Sequence, residues 1–262
     1  MIHNLAIGVT SKTDAVFDIG WIKWANEGKP TVLLTKNFIE LHKKYPYVVN
    51  TKHIMVSVTL TGNGGTVFEP NIPTMEEHFE YFEKLSDEER KRILIRIDPI
   101  VPIHRFFKNS LIVYLKCKEL GFEHFAISCL DIYCTQKDGY IEKNLPKELE
   151  EELNEIYFGE NTVNLIEPQA QDCWKVHADY KLRKFIFDFF PDARICNEPN
   201  FKCGCGTSIE MRILGYNLND YPTIEGINQG LYCGCEIVKV EISESHNCQY
   251  KCSYCPYLKK RF

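Results

Sequence analysis

Short apolar runs of strand length recur along the chain at Leu5–Val9, Thr31–Leu34, Ile54–Leu60, Ile93–Ile97, His124–Cys129, Thr162–Ile166 and Ile237–Ile242. Between most of them lie helical patterns. Asp14–Asn26 ends before Gly28, and Met75–Leu85 follows Pro73 with Thr74 placed as its N-cap. Phe106–Leu120 stops at Gly121, and Pro146–Tyr157 opens with proline at an early helical position. Lys175–Phe190 carries Tyr180, Phe185, Ile186, Phe189 and Phe190 and halts at Pro191. This alternation predicts an α/β fold with a mostly parallel sheet and helices outside, forming a complete or partial TIM-type barrel. After about Pro191 the long helices give way to Gly, Asn and Cys. The expected organisation is an α/β body over 1–190, a Cys-rich metal-binding subregion over 191–236, and a strand and loop over 237–262 that complete the barrel.

Composition narrows the function classes. At 262 residues and 44% hydrophobic content the chain suits one α/β core, and a formal net charge of −5 gives no global basic field for nucleic acid. No 18-residue apolar run and no charged leader followed by an apolar stretch is present, so the expectation is a cytoplasmic protein without membrane association. Twelve cysteines crowded towards one end of such a chain point to metal rather than to disulfides. Cys117, Cys129, Cys134 and Cys173 have no ligand-like spacing and read as small buried hydrophobes.

The segment Cys248-Gln-Tyr-Lys-Cys252-Ser-Tyr-Cys255 spaces three cysteines as C-x3-C-x2-C, so that one tight loop presents three thiolates to three irons of a four-iron, four-sulfur (4Fe-4S) cluster. The fourth iron keeps an open position that can chelate a small molecule through nitrogen and oxygen. The loop follows the strand Ile237–Ile242 at its C-terminal end, where α/β folds place active sites. A structural zinc site completed by His246 or another cysteine uses similar thiolates, although zinc more often takes paired C-x2-C knuckles. Upstream, Cys203-Gly-Cys205 and Cys233-Gly-Cys235, with Cys196 nearby, can converge on a second metal, either zinc or another 4Fe-4S cluster.

The cysteine loop resembles the cluster motif of radical S-adenosylmethionine (SAM) enzymes, in which the residue before the third cysteine, here Tyr254, is aromatic and lies against the adenine. More widely the chain resembles a spore-photoproduct-lyase-like family of bacterial and phage proteins with a C-terminal radical-SAM-type motif. The resemblance rests on Thr10-Ser-Lys-Thr-Asp14, Thr35-Lys-Asn37, Thr59-Leu-Thr-Gly62, Arg96-Ile-Asp-Pro-Ile100, Ser128-Cys-Leu-Asp-Ile-Tyr133, and the final Cys-Gly-Cys and C-x3-C-x2-C. Ser11 and Lys12 depart from the family, which has two basic residues there. The resemblance implies reductive cleavage of SAM to a 5′-deoxyadenosyl radical acting on an unknown substrate, and an electron donor such as flavodoxin or ferredoxin. For the second metal it favours Cys196, one of Cys203 or Cys205, and both Cys233 and Cys235. In ordinary radical SAM enzymes the cluster loop follows the first strand, so a circular permutation is implied, with Ile237–Ile242 pairing beside Leu5–Val9.

Residues at strand ends are the remaining candidates, because a barrel directs them to a common mouth. Lys12, Asp14, Arg96, Asp98 and Asp131 are candidates for catalysis, and Thr61 and Lys36 join Tyr254 as candidates for cofactor contacts. Each can instead be a cap, a turn former or a solvated charge, and Asp14 can be a helix N-cap. Thr61-Gly-Asn-Gly-Gly65 lacks a phosphate-loop pattern and reads as a turn, and Ser86-Asp-Glu-Glu-Arg90 reads as a capped helix start. The competing function is a noncatalytic zinc or iron–sulfur module, possibly associated with nucleic acid, an association that the charge does not support.

Overall fold

A computed structural model describes residues 2–135, 145–168, 173–202, 204, 208–225, 235–244 and 248–254. In chain order its elements are β1 (Ile2–Val9), α1 (Gly20–Asn26), β2 (Thr31–Thr35), α2 (Phe38–Lys44), β3 (Ile54–Thr59), α3 (Met75–Phe82), α4 (Asp87–Arg90), β4 (Ile93–Ile100), α5 (His104–Glu119) and β5 (His124–Cys129). There follow β6 (Ile132–Thr135), α6 (Lys147–Phe158), β7 (Leu165–Pro168), β8 (Cys173–His177), α7 (Tyr180–Phe187), β9 (Arg194–Ile195), α8 (Ser208–Ile213), β10 (Thr223–Ile224) and β11 (Ile237–Glu241).

Strands β11, β1, β2, β3, β4, β5 and β9 lie side by side in that order and are all parallel. The short β10 pairs antiparallel with the first residues of β1. Strand β11 runs along β1 in the register Ala6 to Val238, Ile7 to Lys239, Gly8 to Val240 and Val9 to Glu241, which is the pairing anticipated for the C-terminal strand. Among the described residues β9 and β11 do not pair, so the sheet is open there. A second, antiparallel sheet of three strands, ordered β6-β8-β7, stands beyond the end of β5.

The period-two alternation of the strands sorts their side chains onto two faces. Ile54, Val56 and Val58 of β3, Ile93, Ile95 and Ile97 of β4, and Phe125 and Ile127 of β5 join the large core with Trp21 of α1, Phe38 of α2, Phe82 of α3 and Val113 of α5. The intervening residues face the other way. Met55, Leu94 and Ala126 are covered by Met211 of α8 and by Leu214 and Leu218 that follow it. Further along the same face the residues turn polar, through Ser57 and Thr59, Arg96 and Asp98, and Ser128. One end of the inner face is therefore sealed by apolar packing, and the other end is built for polar ligands.

Helix starts follow local chemistry. Thr74 and Ser86 each form a reciprocal capping box, with Glu77 and Glu89, satisfying two otherwise orphaned amides apiece. Three expectations are corrected. The segment from Asp14 is helical only from Gly20, because Asp14 bonds the amide of Val16 and the second strand instead of opening a helix. Lys175–Phe190 is divided: Lys175 and His177 alternate as strand residues of β8, and α7 begins after Asp179, whose carboxylate caps the amide of Lys181. The strand expected at Thr162–Ile166 lies instead at Leu165–Pro168 and belongs to the small antiparallel sheet, not to the parallel one.

Candidate active site

A cavity of about 340 Å³ opens at the C-terminal ends of the parallel strands, within the size range of small-molecule sites. Its wall takes Lys12 and Asp14 from the exit of β1, Lys36 from β2, Asp98 from β4, Asp131 from β5, and Cys248, Cys252 and Tyr254 from the loop after β11. Eight residues nominated separately on strand ends and in the cysteine motif thus face one space. Thr61 and Arg96 are not part of the wall: Arg96 pairs with the wall residue Asp98, and Thr61 donates to Glu69, which in turn accepts from the wall residues Lys36 and Tyr254. Cys203, Cys205, Cys233 and Cys255 lie outside the described residues. Cys196 follows β9, half-buried, with its sulfur 4.0 Å from Arg96 Nη2, and Cys235 is buried just before β11.

The cysteine loop is held by the segment that follows β3. The Ser253 amide donates to the Phe68 carbonyl at 3.0 Å, and the Asn71 side chain donates to the Tyr250 carbonyl at 3.3 Å. Tyr250 is buried, its ring centroid 4.9 Å from that of Phe17. Lys251 takes a left-handed backbone conformation, φ 53°, which only a constrained non-glycine residue adopts. That bend lies between two cysteines that both reach the cavity wall.

Glu69, which no sequence pattern marks, is the centre of this region. Its carboxylate is buried and accepts from Lys36 Nζ at 2.5 Å, from Thr61 Oγ1 at 2.5 Å and from the Tyr254 hydroxyl. Lys36 also donates to the Tyr254 oxygen at 2.7 Å. Burial works against the ammonium form of Lys36, but Glu69, Cys252 and Asp98 outweigh it and hold its pKa above the ordinary lysine value. Burial, reinforced by Glu69 and Cys252, pushes the Tyr254 hydroxyl upward, so it stays a proton donor.

Asp14 is buried and accepts from the amides of Val16 and Lys36, at 2.9 and 2.5 Å, and from the Thr35 hydroxyl at 2.9 Å. Burial nevertheless dominates these bonds and raises its pKa to about 6. Asp98 pairs with Arg96 and accepts from Ser128 at 2.5 Å. Burial pushes Asp98 upward, but Arg96 and Ser128 prevail and hold it below the usual carboxylate range.

Beyond Asp131 the cavity backs onto a buried polar cluster. Asp131 meets Lys175 Nζ at 2.7 Å and His177 Nδ1 at 2.8 Å, and His177 Nε2 lies 3.1 Å from Glu167. Glu198 accepts from the Cys129 amide at 2.6 Å and pairs with Arg183 at 3.0 Å. Burial and the neighbouring Asp131 charge raise the Glu198 pKa to about 8. Lys175 and His177 fell within the span expected to be helical and were not nominated for the site, and Glu198 carries no sequence pattern at all.

No family model matches the chain, and no curated protein matches it. Among solved structures, a mutant of spore photoproduct lyase is similar at a TM-score of 0.35 and 12% identity, over 67% of this chain and 64% of that one. The chain therefore spans just under two thirds of that protein's length. Among the described residues no helix is long and apolar enough to cross a membrane.

Proposed function

We propose that this chain is a radical SAM enzyme whose Cys248, Cys252 and Cys255 hold a 4Fe-4S cluster beside the cavity. The observation that carries the reading is the convergence of Cys248 and Cys252 on the cavity wall at the C-terminal edge of a parallel sheet. Two soft thiol donors, on a loop braced from β3, suit an iron–sulfur cluster, and the wall between them and Asp131 leaves space for a small molecule. When bound, the cluster supplies the electron that cleaves SAM reductively to methionine and a 5′-deoxyadenosyl radical.

The remaining steps belong to the chain's own side chains. Lys12 and Lys36 share the wall with Asp14, Asp98 and Asp131, so a ligand that carries both a carboxylate and an amine would meet groups of either charge. Glu69 and Lys36 fix the hydroxyl of Tyr254 and so the plane of its ring at the wall. The pairing of β11 with β1 supports a partial barrel that is circularly permuted, with the cluster-bearing strand moved to the C-terminal side. Residues 191–236 would form a metal-bearing subregion with Cys196, Cys203 or Cys205, Cys233 and Cys235 around zinc or a second cluster. A low-potential donor such as flavodoxin or ferredoxin would feed the first cluster.

Anaerobically reconstituted protein given dithionite and SAM is expected to release 5′-deoxyadenosine and methionine, and Cys252→Ala to abolish that release. Iron-loaded protein with no 5′-deoxyadenosine above the background of the variant would overturn the proposal.

A further inference from the structure

The cluster behind Asp131 is not explained by the radical reading. Asp131, His177 and Glu198 each bring one donor atom to a common space, these atoms lying within 4.8 Å of one another. They come from three places in the fold: the exit of β5, the last residue of β8 and the turn after β9. Asp131 Oδ1 is 2.8 Å from His177 Nδ1, yet this buried oxygen takes no hydrogen bond from the described residues. Two donor atoms so close, but not directed along an N–H···O line, are arranged as ligands of a shared third atom are.

The surroundings fit that arrangement. Glu167 holds the far nitrogen of His177, the carboxylate–histidine pairing that orients a metal-binding imidazole and leaves its other nitrogen as the donor. Lys175 contacts the other oxygen of Asp131, Oδ2, and so leaves Oδ1 to the common space. Arg183 and the Cys129 amide each take one oxygen of Glu198, and a carboxylate so bonded keeps further lone pairs.

We propose that Asp131, His177 and Glu198 bind a divalent first-row transition-metal ion. One imidazole nitrogen with two carboxylate oxygens selects Mn2+, Fe2+ or Zn2+ over Ca2+. Asp131 is the ligand that also forms the cavity wall, so the open coordination positions take an oxygen or nitrogen donor of a molecule in the cavity. The site is independent of the cysteine loop.

Mn2+ is the probe, because it avoids the cysteine-rich region that would capture zinc. Full-length protein with its cysteine-bound iron in the oxidised, diamagnetic state is titrated with Mn2+ and followed by electron paramagnetic resonance. One bound Mn2+ per chain, carrying the hyperfine coupling of a single histidine nitrogen, is the expected result. Glu167→Gln is expected to weaken binding by about 10- to 100-fold, and His177→Gln to remove the nitrogen coupling. Absence of stoichiometric Mn2+, or Mn2+ bound without nitrogen coupling in the unaltered protein, would overturn the site whether or not the variants fold. Repeating the titration on a Cys248, Cys252 and Cys255 triple-alanine chain separates the two proposals, since Mn2+ binding should persist there while SAM cleavage is lost.

Discussion

Glu69 gathers three donors, from Lys36, Thr61 and Tyr254, in a place where an unpaired cation would be costly. Removing only the acid strands the largely buried ammonium, so Glu69→Ala should cost about 3–5 kcal/mol in urea unfolding. The double variant Lys36→Met with Glu69→Met should lose less than Glu69→Ala alone, since it removes both charges and keeps the volume filled. Equal losses would show that the pair does not act as a pair. Asp14 makes a second residue-scale test. Its pKa of about 6 stands above the ordinary 3.8, so the folded state binds its proton more tightly than the unfolded chain does. This contribution is full below about pH 4 and is lost as pH rises through about 6, a loss on the order of 3 kcal/mol. Between pH 4 and pH 7 the unaltered protein should therefore lose more stability than Asp14→Asn, which has no such proton; parallel curves would refute the assignment.

At the scale of elements, the segment from Thr61 to Pro73 acts as a brace for the cysteine loop. Its shape depends on Gly64, where an added Cβ would stand 2.0 Å from the Pro73 carbonyl oxygen. Backbone, not a mobile side chain, blocks that position, so Gly64→Ala must shift the segment. The expected consequence is faster hydrogen exchange at the Ser253 amide, which the Phe68 carbonyl holds, together with weaker retention of iron by anaerobic protein. Unchanged exchange at Ser253 would show that the brace does not secure the loop. The small antiparallel sheet has a comparable role for the second cluster, since β8 sets Lys175 and His177 two residues apart on one face and β7 lays Glu167 opposite Lys175.

For the whole molecule the decisive feature is how little β1 shares with its sequence neighbour. It pairs with β2 only at Gly8 and Val9 and with β10 at Ile2 and His3, whereas β11 accompanies it from His3 to Val9. Deleting residues 237–262 should therefore expose the edge of β1 and unpack Ile7 and Leu5, which are buried with Ile237. The shortened chain is expected to lose cooperative thermal unfolding or to fail to fold. A truncated protein that melts as sharply and at the same temperature would mean that β11 is an accessory to the sheet.

Much of this architecture was legible in the pattern of residues, for a local reason. Strands at Ile54, Ile93 and His124 announced themselves because alternation and β-branched content are properties of a few adjacent residues, and Thr74 and Ser86 because a capping box closes within one turn. The cysteine spacing pointed to a cluster, and the strand-end rule nominated the wall residues Lys12, Asp14, Lys36, Asp98 and Asp131 before any fold was known. Lys175 escaped because amphipathic spacing across Lys175–Phe190 satisfies a helix, and only pairing of β8 with β6 and β7 chose the strand. Glu69, His177 and Glu198 escaped altogether. Their importance comes from burial and from partners far away in the chain, as Glu69 meets Tyr254 and Glu198 meets Cys129, and no local pattern encodes a long-range contact. The sequence by itself thus determined most of the parallel strands and the capped helix starts, and it set closely spaced cysteines in one short loop. Only the tertiary structure decided which polar groups share one cavity, because that depends on desolvation and on the order of strands in the sheet.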